Sequence, residues 1–317
     1  MNKLKKIGLS ALAGSLVATS AFAGEMAVGG TAKATWTDRE AGTTTGNGIG
    51  MNKGLTFTGS GDLDSGHSIK FYTALNGTSR SSSSLTYDMG DMGSLTLDNG
   101  VGGHGIGSID DKTPTANEEI WDNITNATES YLVGIGNNGA LAYSNTFGGI
   151  TLSADYVKQG GGALEDGATG AAGSGTGKSI AVTTTVADGF NVGIGMGDAG
   201  TANALNDAEQ TTAFATYAMG GFTVGYQLSE EETVGANNWE SSQWGVSFNV
   251  NDNISIGYGE RTVDIAETAA DQEDTGFSAS YTMGSVSVKA NINTSDDQNG
   301  TVTSDKETTE IAVSFAF

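Results

Sequence analysis

Residues 180–196 read Ile180-Ala-Val-Thr-Thr-Thr-Val-Ala-Asp-Gly-Phe-Asn-Val-Gly-Ile-Gly-Met196. Ile180, Val182 and Val186 share one parity, and after Ala187-Asp188-Gly189 so do Phe190, Val192, Ile194 and Met196. Apolar residues at every second position place one face of each strand in an apolar medium. The intervening positions hold alanine, threonine, asparagine and glycine, a face suited to water and not to a large core. Asp188-Gly189 supplies the turn chemistry of a tight antiparallel hairpin. The stretch is therefore a hairpin with one apolar side and one wet side.

The same unit recurs in both directions. Strands are expected near 26–37, 53–62, 68–76, 82–89, 94–98, 139–145, 150–157, 178–186, 190–198, 210–219, 222–228, 242–250, 254–261, 275–283, 286–293 and 306–317. Residues 131–135 also alternate, but an extra strand there would break the order of turns, so they are assigned to a loop. Strand 210–219 carries bulk on both faces, Phe214 against Tyr217, and its orientation stays open. Short connectors such as Gly220-Gly221 and Gly284-Ser285 alternate with long acidic ones near 38–52, 158–177, 199–209, 229–241, 262–274 and 294–305. Antiparallel strands with short turns at one end and long loops at the other form an outer-membrane barrel. The expected fold is all-β, a sixteen-stranded antiparallel transmembrane barrel with both termini on the short-turn, periplasmic side. Closure satisfies every backbone group in hydrocarbon, which open strands cannot do.

Composition agrees. The chain has 317 residues, of which 49 are Gly, 1 is Pro and none is Cys, and its hydrophobic content is 37%. A barrel turns its apolar side chains to lipid and needs no large core. Without Cys there is no disulfide framework or thiolate metal site. A formal charge of −23, with 14 Lys+Arg against 37 Asp+Glu, excludes general nucleic-acid binding, which needs a basic face.

The first residues read as a targeting segment. Lys3, Lys5 and Lys6 precede an apolar run from Ile7 to Thr19, and Ala21-Phe22-Ala23 is an A-x-A cleavage site. The expected division is a signal peptide at 1–23 and one barrel domain at 24–317. Aromatics gather near strand ends, with Tyr87, Phe190, Tyr217, Phe222, Phe248, Tyr281 and Phe317 at the short-turn end. Trp36, Tyr156 and Trp244 mark the other end, as interfacial girdles require.

With the first strand after Gly24, the hairpin from Ala140 to Tyr156 and the terminal Ile311-Ala-Val-Ser-Phe-Ala-Phe317, the mature chain resembles the general diffusion porins of Gram-negative bacteria, of the sixteen-stranded α-proteobacterial type. That resemblance implies a homotrimer of water-filled barrels in the outer membrane, in contact with lipid and lipopolysaccharide. It implies that the barrel-assembly machinery reads Phe317, and that the third long loop folds inward to narrow the lumen. The loop that fits is 99–138, with Asp110, Asp111, Glu118, Glu119, Asp122 and Glu129 against Lys112. The family sets such an acidic loop against a basic wall. Strand parity points Lys33, Lys70 and Lys289 into the lumen, from strands that adjoin across the barrel closure. Arg80 and Arg261 lie near the outer rim.

Lumen acids Asp62, Asp88, Asp98, Asp155 and Glu310 outnumber the lumen lysines, so the expected traffic is small hydrophilic solutes and ions with a preference for cations. Two other readings stay open: a substrate-specific porin for sugars or small cations, with Tyr72 as its inward aromatic, or a plugged surface barrel or adhesin. No cofactor is expected. The acid clusters Glu230-Glu231-Glu232, Asp271–Asp274 and Asp296-Asp297 are the candidates for Ca²⁺ at the outer loops.

Chemical motifs fail. Gly134–Gly139 and Gly195–Gly200 match G-x-G-x-x-G, but neither opens a helix. Asp62-Leu-Asp-Ser-Gly66 begins like a calcium loop, yet its twelfth position is Thr73 and not a bidentate Glu. Neither His67 nor His104 sits in a nucleophile–base context, so an enzyme is not expected.

Overall fold

A computed structural model describes residues 24–39, 47–77, 79–124, 132, 134–136, 138–158, 176–200, 208–233 and 238–317. The expected signal peptide and Glu129 lie outside these residues. The strands are β1 (Glu25–Arg39), β2 (Ile49–Asp62), β3 (Ser68–Asn76), β4 (Ser79–Asp88), β5 (Ser94–Asn99), β6 (Asn138–Phe147), β7 (Ile150–Lys158) and β8 (Thr176–Ala187). They continue as β9 (Phe190–Asp198), β10 (Glu209–Met219), β11 (Phe222–Glu232), β12 (Trp239–Asn249), β13 (Ile254–Ile265), β14 (Gln272–Met283), β15 (Val286–Asp296) and β16 (Lys306–Ala316). Each pairs antiparallel with its sequence neighbours, and β1 pairs with β16 to close a sixteen-stranded barrel. Leu132, Gly134 and Ile135 lie outside any strand. No helix among the described residues is long and apolar enough to cross a membrane; strands make the crossing.

The barrel is inside out relative to a soluble protein. Met26 and Met51 are each 77% exposed on the outer face, whereas Gln227 and Asp274 are 0% exposed on the inner one. Hydrocarbon replaces the core as the apolar medium, and on the inner face Gln227 and Asp274 are hydrogen-bonded to the loop and to neighbouring side chains. At the short-turn end Phe222 stacks on Phe248 with ring centroids 4.1 Å apart, and Phe190 meets Tyr217 edge-on at 6.4 Å. At the long-loop end Trp244 tilts against Tyr258 at 5.7 Å. These pairs lie where the rings' amphipathic bodies suit the interface.

Strand β10 is resolved in orientation by its burial pattern. Glu209, Thr211 and Ala213 are exposed, while Gln210 and Thr212 are buried. Phe214 thus shares the inner parity and Tyr217 the outer.

One group of expected boundaries is corrected. Several strands run further toward the long-loop end than the sequence pattern indicated. Glu230-Glu231-Glu232 belong to β11, Glu273 and Asp274 to β14, and Asp296 to β15. These clusters are therefore not compact outer loops. Their residues alternate across the sheet, with Glu231 and Asp274 buried and Glu230, Glu232, Glu273 and Asp296 exposed. Above the hydrocarbon both strand faces are wet, so the apolar alternation that marks a strand disappears while its pairing continues.

Candidate functional site

The segment after β5 turns into the barrel at once. Asp98 accepts hydrogen bonds from the backbone N–H of Val101 (2.9 Å) and Gly102 (2.7 Å). Gly102, Gly103 and Gly105 take φ of 77°, 75° and 52°, a region closed to most side chains. The Gly105 and Ile106 N–H groups then donate to Ser153 of β7 (2.9 Å) and Ser179 of β8 (2.8 Å).

From there the loop follows the inner wall. Gln227 of β11 donates to the Ile109 carbonyl (2.8 Å) and accepts from the Lys112 N–H (2.7 Å). Gln243 of β12 donates to Asp111 (2.9 Å), and Ser278 of β14 accepts from the Ala116 N–H (2.9 Å). Asn293 of β15 holds the carbonyls of Glu119 (3.2 Å) and Asp122 (3.0 Å). Thr308 of β16 and Arg39 of β1 both donate to the Asn123 carbonyl, at 3.1 and 2.9 Å. The returning chain meets β10, where Gln210 accepts from the Gly134 N–H (2.9 Å). The loop thus lies along the inner face from β7 round to β1.

Two features let it lie so close. A Cβ at Gly245 would come within 2.6 Å of the Pro114 carbonyl oxygen, and one at Gly276 within 2.7 Å of Ile120. Apolar loop residues also fill a small internal core, in which Ile106 and Leu132 pack with Trp239 and Val263. Beside it Trp121 lies under the Arg261 guanidinium at 3.8 Å, and Arg261 pairs with buried Asp274 at 2.6 Å. Gln272 donates to the same carboxylate. Arg261 is 1% exposed, so its place is under the loop and not at the rim. Arg80 is exposed and bonds Ser83 and the Asn99 carbonyl.

The five described acids of the loop, Asp110, Asp111, Glu118, Glu119 and Asp122, occupy different surroundings. Asp110 is exposed. Asp111 accepts from Thr113 and Gln243, and burial pushes its carboxyl up. Burial also raises Glu119, with help from the charges of Asp111 and Glu118. Glu118 forms an ion pair with Lys33 at 3.1 Å. A hydrogen bond shared with Asp122 holds Glu118 below the usual carboxylate range, and Lys33 and Lys289 add to this. Burial, then the hydrogen bond and charge of Glu118, push Asp122 up to about 8. The pair therefore carries one proton at neutral pH.

The basic residues divide in the same way. Lys33 touches both Glu118 and, at 3.3 Å, Glu310, and Lys289 is near enough for its charge to act on Glu118. These two stand on the loop side of the lumen. Lys70 stands on the arc the loop does not cover, opposite Ser60 and Thr86 in register, and makes no ion pair among the described residues. On that arc Ser60, Asp62, Lys70, Asn76 and Asp88 are exposed to the lumen or its mouth. Asp98 and Asp155 are engaged instead with the loop root, His104 and Ser179.

Sequence reasoning missed the residues that hold the loop: Gln210, Gln227, Gln243, Asn293, the inward glycines, and Asn291, which accepts a hydrogen bond from the Asn117 side chain. Their signal was present, since amide side chains and glycine recur at inner parity from β9 to β15. Among the described residues no group of three His, Cys, Asp or Glu side chains is placed to hold a metal ion.

Comparison with known proteins fits this geometry. No curated protein matches by sequence. A porin whose structure was refined at 1.8 Å is 17% identical, with a TM-score of 0.65 over 92% of this chain and 100% of its own. An anion-selective porin from Comamonas acidovorans is 14% identical, with a TM-score of 0.64 over 92% and 99%. A mutant of the Rh. blastica porin is 11% identical, with a TM-score of 0.63 over 92% and 100%. At these identities the likeness carries the fold alone. The model of the Gram-negative porin family matches residues 8–317, and the chain belongs to that family.

Proposed function

We propose that this porin is a passive diffusion channel for small hydrophilic solutes and ions, with a preference for cations. Family and fold are those of an outer-membrane channel protein and not of an enzyme. The observation that carries the finer reading is the division of the lumen. A loop hydrogen-bonded to the inner wall from β7 to β1 narrows it, while the arc of β2 to β4 keeps exposed polar side chains. Such a pore selects by diameter and by the charge of its lining. Exposed Asp62, Asp88 and Asp110, together with the Glu118 carboxylate, bias it toward cations. The Comamonas relative is anion-selective, so selectivity in this fold follows the lining and not the barrel.

Liposome swelling with neutral solutes of increasing size tests the diffusion reading. Swelling that falls smoothly with solute size supports it; no swelling with any solute favours a plugged barrel. The same reading includes a homotrimer in contact with lipopolysaccharide, assembled through the terminal Phe317. It requires no cofactor. Calorimetry with Ca²⁺ checks the outer acid residues, and absence of heat removes calcium from the account.

A further inference from the structure

Between the inserted loop and the short-turn end lies a cavity of about 740 Å³, within the range of small-molecule sites. Its lining contains no Asp or Glu, although the chain has 37. Instead, nine of the lining residues carry a hydroxyl, and Asn191 adds an amide. Thr183, Thr185, Thr216 and Thr223 point inward from β8, β10 and β11, so donors and acceptors are arrayed on one curved wall. Phe214 also borders the cavity. Its ring lies against Gly193, where a Cβ would collide with it, and beside the Thr183 methyl. An inward aromatic in a polar channel wall is out of keeping with the rest of the lining, where glycine, serine and threonine predominate.

We propose that this vestibule is a weak binding subsite for neutral pyranose saccharides, with Phe214 as the platform for the sugar's C–H face. A pyranose has an apolar C–H face and a rim of hydroxyls that both donate and accept. The cavity presents the complement of each: one aromatic ring and a hydroxyl-rich wall. A carboxylate would favour cations here, and none is present. Lys112 at the loop edge is the one lining lysine. Affinity must stay low, because a conducting site has to release what it holds. The inference rests on the diffusion-channel reading and narrows its solute class.

Two measurements separate the two claims. Single-channel current in KCl reports whether the pore conducts. Maltotriose added to the short-turn side is expected to interrupt that current transiently, with a saturable concentration dependence. Phe214→Ala and Phe214→Leu are expected to raise the half-blocking concentration roughly five- to tenfold with open-channel current retained, the loss expected of one ring contact. The leucine variant keeps apolar bulk and loses only the flat face. Equal block in wild type and both variants, or no block, overturns the subsite while leaving the channel intact. Isothermal titration of the detergent-solubilised protein with maltotriose reads the subsite without any current. Heat in the wild type that is lost in both variants supports it, and no wild-type heat overturns it. A wild type that never conducts contradicts the diffusion reading on its own.

Discussion

Asp122 and Glu118 set the charge of the loop beside β1, because they share a proton next to Lys33. Asp122 is pushed up to about 8, so raising the pH through that value takes the pair from one negative charge to two. Cation preference is expected to rise between pH 7 and 9, read as the zero-current potential under a fixed salt gradient. Asp122→Asn should flatten that step. The stability sign is opposite. Between its ordinary value and about 8 the folded state holds a proton that the unfolded chain has released, so this group's contribution to stability falls as pH rises through that window. A second residue test concerns Arg261. Its removal leaves Asp274 buried and without its cation, and Arg261→Ala should cost about 3–5 kcal/mol of stability, seen as loss of the folded gel band after heating the sample to a lower temperature than the wild type needs. None of these contacts is legible in the sequence. Parity placed Lys33, Lys70 and Lys289 on the inner face, but only folding of the loop decides which of them it meets.

At the scale of elements, the hairpins were legible and the loop's path was not. Residues 180–196 show why: alternation against lipid and a Gly turn are local signals. The outer ends of β11, β14 and β15 carry no strand pattern in the sequence because Glu230, Glu273 and Asp296 stand beyond the apolar rows, where the outer face no longer needs apolar residues. The loop is held by single side chains from many strands, a non-local arrangement that no window of sequence contains. Its fit depends on Gly276, which leaves room for Ile120. Gly276→Val is expected to lift that part of the loop off the wall and change single-channel conductance while the barrel remains heat-modifiable. Unchanged conductance would mean that residues near Ile120 do not shape the pore.

For the whole molecule, closure is the decisive step, since one unpaired edge in hydrocarbon would leave a row of unsatisfied backbone groups. Phe317 extends the β1–β16 pairing that makes the closure. The Gly30 N–H donates to the Phe317 carbonyl at 2.7 Å, and the Phe317 N–H donates back at 2.9 Å, with the aromatic ring against Gly30. Deleting Phe317 is expected to lower the yield of folded, heat-modifiable protein in outer-membrane fractions. The net charge of −23 also belongs to this scale. Exposed carboxylates crowd the outer strand ends, and few stand free in the lumen, so selectivity should be screened readily. The Debye length falls from about 10 Å at 0.1 M salt to about 3 Å at 1 M, and cation preference should weaken over that range. The most direct test of the central claim is single-channel current across a planar bilayer separating 0.1 M from roughly 0.3 M KCl, a range in which screening is still incomplete. The account expects discrete stepwise currents and a zero-current potential of the sign set by cation flow. A purified, heat-modifiable barrel that gives no steps, or one whose zero-current potential has the anion sign, would contradict it.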